Sequence, residues 1–396
     1  MFSTEIHGNQ HCFAIHLTKS VCHIRIHGFV KITVFGLTIS SSWGNGHATP
    51  YRAIFRALHG MGHEVHFFEK DVPYYSSRRD LASCDYCNLV LYPEWTQIRE
   101  RALQTANESD IVMAASYLPD GRRICDEILT FSRPLRVFYD LDTPITLVNL
   151  ESGGVDYVRT EQLAEFDLVL SFTGGKVLEQ LETKYNVRMA RPLYGCVDPE
   201  VYERVEPDAE FICDLSYMGT FAADRQAKVD ELFLEPSRRH PEKQFVLAGS
   251  LYPWDWQWGA NVKKTEHVPP QAHPTFYSSS RITLNLTREE MARNGWCPSG
   301  RFFEAAACGT PLITDSWPGL ESFFEPGSEI RVVHTANEVE AALDLPDGEV
   351  RAMADRAQQR TLDCHTGAIR ARELLQYIEE ARSAPPSEAL VGKVAS

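Results

Sequence analysis

The segment 298–314, PSGRFFEAAACGTPLIT, runs from a loop through a short helix and a glycine stop into a strand. Its chemistry lies at the helix start. Ser299 and Gly300 leave backbone N–H groups without intrahelical acceptors, and the positive end of the helix dipole at that point suits a diphosphate. Arg301 adds a full positive charge. Glu304, one turn further in, is placed to accept hydrogen bonds from ribose hydroxyls beside that diphosphate. Gly309 and Pro311 stop the helix. The plain alternative for Glu304 is a glutamate packed on a helix.

Two other clusters have reactive residues next to a strand end. In the loop 40–48, SSSWGNGHA, glycine flexibility and a following helix start suit an anion or a second substrate. His47 in that loop is a candidate general base, since an imidazole can take a hydroxyl proton near neutral pH; the alternative is a turn histidine. In VFYDLDTP (137–144), Asp140 and Asp142 lie just beyond a strand's C-terminal end, where open α/β sheets bind ligands. One of them is the rival base, and the alternative is a turn-capping aspartate. Their Asp-x-Asp spacing would suit a divalent ion, but the preferred reading needs no metal.

Weaker signals surround these. Arg78 and Arg79 follow Tyr74 and Tyr75 and read either as an acceptor contact or as solvated surface. Trp254, Trp256 and Trp258 read as a cover over a core before they read as a sugar-stacking surface. Cys84 and Cys87 have C-x-x-C spacing, but no second pair follows at zinc-ribbon distance, so a structural role is expected.

These segments need a scaffold of alternating strands and helices. A buried strand is expected at 31–37, a helix from Thr49 and Pro50 to Gly60, and a strand at 64–68, which makes one βαβ unit. Strands near 110–114, 135–140 and 167–171 continue a parallel sheet. The chain turns polar and acidic between 196 and 210, and then a second series begins. Its strands are expected at 213–218, 244–248, 282–286, 311–314 and 330–333. The fold class is therefore α/β with two doubly wound Rossmann-like domains facing a cleft. The expected limits are 31–198 and 199–382, with 1–30 a disordered or mis-started extension and 383–396 a disordered tail.

Composition narrows the function classes. Of the 396 residues 43% are hydrophobic and 23% charged, as in a globular protein long enough for two cores. A net charge of -15 with no basic stripe argues against nucleic acid as a partner. No apolar run is long enough to span a bilayer, so no integral membrane segment is expected. The ten scattered cysteines read as reduced thiols of a cytoplasmic protein.

The stretch FEAAACGTP (303–311) resembles the nucleotide-sugar motif of GT-B glycosyltransferases. Within that fold the chain is most similar to the glycosyltransferase-like domain of the spore maturation protein CgeB family, strongly over 211–345 and loosely before it. The resemblance implies a donor ribose held by Glu304. In SYMGTFAADR (216–225), Gly219 would let the backbone approach the donor, Arg225 would bind phosphate, and Lys228 is a weaker second cation. Val268 would offer main-chain hydrogen bonds to the base, and Tyr277 would wall the pocket. Relatives of the retaining type carry an acid eight residues before this glutamate, where this chain has Trp296; Glu289 and Glu290 are out of register.

The implied activity is a metal-independent glycosyl transfer, of the hexosyltransferase class. The donor is a nucleotide sugar, there is no other cofactor, and the acceptor is a small molecule, glycan or protein. An epimerase of the same fold and a non-catalytic sugar-nucleotide-binding or assembly protein are the alternatives. Turnover of donor without acceptor marks the first, and binding without turnover the second.

Overall fold

The computed structural model describes residues 28–385 apart from Ala82, Trp254, Asp255 and Gln257. The expectations for 1–27 and for 386–396, and that for Trp254, lie outside the described residues. Strands β1 (Lys31–Gly36), β2 (Glu64–Lys70), β3 (Asn88–Tyr92), β4 (Ile111–Ala115), β5 (Leu135–Asp140), β6 (Leu168–Ser171) and β7 (Ala190–Pro192) form one parallel sheet in the order β3-β2-β1-β4-β5-β6-β7. Strands β8 (Cys213–Met218), β9 (Phe245–Ala248), β10 (Val262–Thr265), β11 (Ser280–Asn285), β12 (Leu312–Thr314) and β13 (Arg331–Val332) form the other, in the order β10-β9-β8-β11-β12-β13. In each sheet the order reverses at the first strand. This opens a crevice at the strand C-termini between β1 and β4 and between β8 and β11, where doubly wound folds bind ligands.

Helices cover both faces of the central strands, and β1 is accordingly buried from Ile32 to Phe35, with Thr33 hydrogen-bonded to the Ser109 hydroxyl. Strands β3, β7 and β10 went unnoticed in the sequence, and all three are edges. In β10, Lys263 and Lys264 interrupt the apolar pattern and blunt the free edge. The helical stretch after β8 is continuous from Ala223–Val229 through a π-helical turn, Asp230–Leu234, to Glu235–Arg239. Pro236 has no N–H to donate inside that run, which explains the local widening of the hydrogen-bond register.

One element departs from the expected division. Helix Gly367–Ser383, assigned by sequence to the second domain, buries Ala371, Leu374, Leu375, Ile378 and Ala381 in the core of the first, beside helix Ala48–Gly60. The approach is close enough that a Cβ on Gly367 would stand 2.3 Å from the Ala53 carbonyl oxygen. The chain therefore passes between domains twice. The two passages are joined by Val197 N–H donating to the His365 carbonyl (3.1 Å) and Gly367 N–H donating to the Val197 carbonyl (2.8 Å).

Candidate functional site

Two adjoining cavities, about 440 Å³ and about 290 Å³, lie where the two crevices face each other, and both are bordered by Arg301, Glu304 and residues 44–46. Helix Gly300–Ala307 points its first turn at the larger one, with Ser299 in extended conformation and without a side-chain cap. Glu304 is 5% exposed, and its Oε2 has no hydrogen-bond partner among the described residues; the His273 Nδ1 lies 3.6 Å away. A buried carboxylate oxygen left open toward a cavity is an acceptor without its donor. The Glu304 charge, after burial itself, helps push the hydroxyls of Tyr202 and Tyr277 well above the usual phenol range.

Three arginines, Arg225, Arg288 and Arg301, line the larger cavity. Arg225 is 5% exposed, donates to the Thr220 carbonyl and lies over the Tyr217 ring, yet forms no ion pair among the described residues. Burial lowers its proton affinity, and the nearby charges of Arg301 and Arg288 add to that effect. Arg301 likewise has no carboxylate partner among the described residues. Lys228, expected as a second cation, is instead paired with Asp315 (2.6 Å) and donates to the Thr287 carbonyl (3.1 Å). The sequence reading missed Arg288, which lines the larger cavity with its Nε 3.3 Å from Asp224. It stands just past the end of β11, at the reversal point of the sheet, where ligands bind in such folds.

Gly219, Gly249 and Val268 line the smaller cavity. A Cβ on Gly249 would fall 2.0 Å from the Gly219 carbonyl oxygen, so these two backbones cross where a side chain would block them. The Val268 carbonyl is 3.1 Å from His273 Nε2. Tyr277 is buried beneath the pocket without lining it, its hydroxyl donating to Met218 Sδ at 3.7 Å.

From the first domain, the loop carrying His47 is fixed at its base by Glu69. That buried carboxylate accepts from the Ile39 and Ser40 N–H groups and the Thr38 hydroxyl. Asp80 clamps Ser42 and takes the fork of Arg52. His47, not Thr49 as expected, is the residue that precedes helix Ala48–Gly60, and it is buried; its Nε2 is 3.7 Å from Asp142 Oδ2, and its Nδ1 has no hydrogen-bond partner among the described residues. Tyr117 stands beside both, its ring 5.7 Å from that of His47, on a left-handed backbone (φ 60°) that a non-glycine residue adopts only under local constraint.

The two aspartates separate. Asp142 lines the larger cavity, whereas Asp140 is 3% exposed beneath it and accepts from the Asp142 N–H and the Thr146 hydroxyl. Burial pushes the Asp140 carboxyl up to about 7 despite those hydrogen bonds. Between the ordinary carboxylate pKa, about 4, and this raised value, the folded protein retains a proton that the unfolded chain releases. Stability falls as pH rises through that window and levels off above it. Asp140→Asn is expected to flatten this slope in urea unfolding followed from about pH 4.5 to about pH 8, and an unchanged slope would remove Asp140 as its source.

Several weaker candidates have structural roles. The Arg78 guanidinium lies 3.5 Å from the Trp43 ring centroid, and Trp43 in turn packs against His267 of the second domain at 4.4 Å. Arg79 binds Asp71 and the Ser40 hydroxyl. Trp256 and Trp258 pack around Tyr252 on the second core. Trp296 does not reach either cavity. It sits between the two domains, where added Cβ atoms on Gly175 and Gly319 would meet its ring at 2.4 and 2.5 Å. Its carbonyl accepts from the Gly174 N–H at 3.0 Å. Glu289 and Glu290 are ion-paired with Arg293 outside the cleft.

Residues 225–376 match a family model described as glycosyl transferase-like. No curated protein sequence matches the chain. Among solved structures, sucrose-phosphate synthase from Thermosynechococcus elongatus is similar with a TM-score of 0.63 at 13% identity, over 90% of this chain and 100% of that one. An alpha-glucosyltransferase in complex with UDP-glucose and DNA containing an abasic site gives 0.66 at 12% identity, over 89% of this chain and 100% of that one. Anabaena HepE in complex with UDP-glucose gives 0.58 at 11%, again over 89% and 100%. The fold is the two-domain α/β architecture of GT-B glycosyltransferases.

Proposed function

We propose that the chain transfers a hexosyl group from a nucleoside diphosphate sugar to an acceptor hydroxyl in the cleft between its domains. One observation carries the proposal: the buried Arg225 guanidinium, which has no carboxylate partner among the described residues, and the Glu304 Oε2, which has no hydrogen-bond partner among them, converge with Arg301 on the start of helix Gly300–Ala307. In this reading the smaller cavity takes the nucleoside, with Gly219 and Val268 against it and Glu304 on the ribose. The diphosphate lies across Ser299, Gly300, Arg225 and Arg301, and the sugar extends into the larger cavity toward His47 and Asp142.

Charge develops on the leaving diphosphate as the bond from the anomeric carbon to its oxygen breaks. The guanidinium groups and helix start are already oriented there, so stabilisation needs no rearrangement and no metal. The acceptor oxygen forms the new bond to the anomeric carbon and gives its proton to His47, which Asp142 orients. Asp140 stays outside this step. The resemblance to CgeB-like proteins and a cytoplasmic setting belong to the same proposal. The acidic chain, at -15, does not favour the DNA bound by one of the structural relatives.

The test is a thermal-unfolding screen of nucleotide sugars, beginning with UDP-glucose because two similar proteins were solved with it. A binder at about 100 times its Kd should add about 2.7 kcal/mol of stability, and that donor should then be consumed faster when an acceptor is supplied. Binding without consumption under any acceptor would leave a sugar-nucleotide-binding protein. Conversion to an isomeric donor without acceptor would make the protein an epimerase.

A further inference from the structure

The foot of the connection between β2 and β3 holds a feature that sugar transfer does not use. The Cys84 and Cys87 Sγ atoms are 2.9 Å apart, on the bend that leads into β3. A disulfide needs about 2.05 Å, so closing the bond asks for a movement of about 1 Å. Cys87 is buried against the first core, whereas Cys84 is half-buried at a separate cavity of about 310 Å³ lined by His59, His63, Asp85 and Tyr86. Among the described residues, only Cys84 and Cys364 of the thiols are not buried.

We propose that Cys84 and Cys87 form a dithiol–disulfide site, oxidised by low-molecular-weight disulfides that enter through this cavity. Cys84 is the attacking thiol. The hydrogen bond from Cys87, with the Tyr86 and Cys87 N–H groups, lowers its pKa to about 7, while Cys84 and burial push the Cys87 thiol up. The Cys84 thiolate attacks one sulfur of the reagent, forming a mixed disulfide and releasing one thiolate, which takes up the proton Cys84 lost. The Cys87 sulfur then attacks Cys84 Sγ and expels the second reagent thiolate, which accepts the Cys87 proton. The protein loses two hydrogens and the reagent disulfide becomes two thiols. The site stands apart from the proposed transfer reaction, and its chemistry is read without any donor.

The full-length protein, reduced and freed of reductant, is incubated with glutathione disulfide, quenched by alkylation and mapped by mass spectrometry. A bridge between Cys84 and Cys87 is expected, with neither residue alkylated. Cys87→Ser should stop at the mixed disulfide on Cys84, and Cys84→Ser should take up no glutathione at Cys87; circular dichroism checks that both variants are folded. Without reagent, Cys84 should be alkylated at least about tenfold faster than the buried thiols. The proposal is overturned if the parent protein keeps both thiols alkylatable, accumulates the mixed disulfide as Cys87→Ser does, or pairs Cys84 with a different cysteine.

Discussion

Arg225→Met is expected to weaken donor binding by about 3 kcal/mol, roughly 10²-fold in Kd, while the unliganded protein stays within about 1 kcal/mol of its original stability. The two effects diverge because Arg225 is a buried cation without a carboxylate among the described residues. Before the diphosphate arrives, its desolvation is offset by the Thr220 carbonyl and the Tyr217 ring. Methionine has a similar length and carries no charge into that site. Calorimetric titration with donor, beside thermal unfolding of the free protein, reads both quantities. Undiminished affinity would remove Arg225 from the phosphate site, and a large fall in unliganded stability would make it a structural arginine.

His47→Ala should act on the other half of the reaction. Loss of a positioned general base costs about 10²–10⁴-fold in turnover, whereas the donor contacts lie across the cleft and donor Kd should not change. Asp142→Asn should give a smaller fall, because asparagine keeps a side chain of the same shape beside the ring but does not stabilise the imidazolium that forms. Turnover and donor affinity measured on the same preparations separate the roles. A His47→Ala protein with full turnover would hand the base to another group, with Asp142 the nearest carboxylate.

The contrast between the two arginine sites shows how far the sequence could be read. Segment 298–314 carried its own context of loop, helix start, glycine stop and strand, so Ser299, Gly300, Arg301 and Glu304 could be placed before any fold was known. Arg288 has no such local pattern. It enters the site because β11 pairs with β8 at the point where the sheet order reverses, a fact of long-range pairing. The same limit explains Lys228, whose partner Asp315 is distant in sequence. Asp140 and Asp142 alternate along one short stretch, and only the packing of Thr146 on Asp140 shows which carboxylate is buried. The helix Gly367–Ser383 has an apolar face, but helical spacing does not say which sheet will cover it.

The two passages of chain at Val197 and Thr366 run side by side as a short parallel bridge. Two crossings of the chain held side by side by two backbone hydrogen bonds give the domains one shared attachment, which is where a hinge between them would lie. Rotation there would alter the distance from His47 to Glu304 together with the seating of Trp296 between Gly175 and Gly319, so a pair of distance probes across the cleft would follow it.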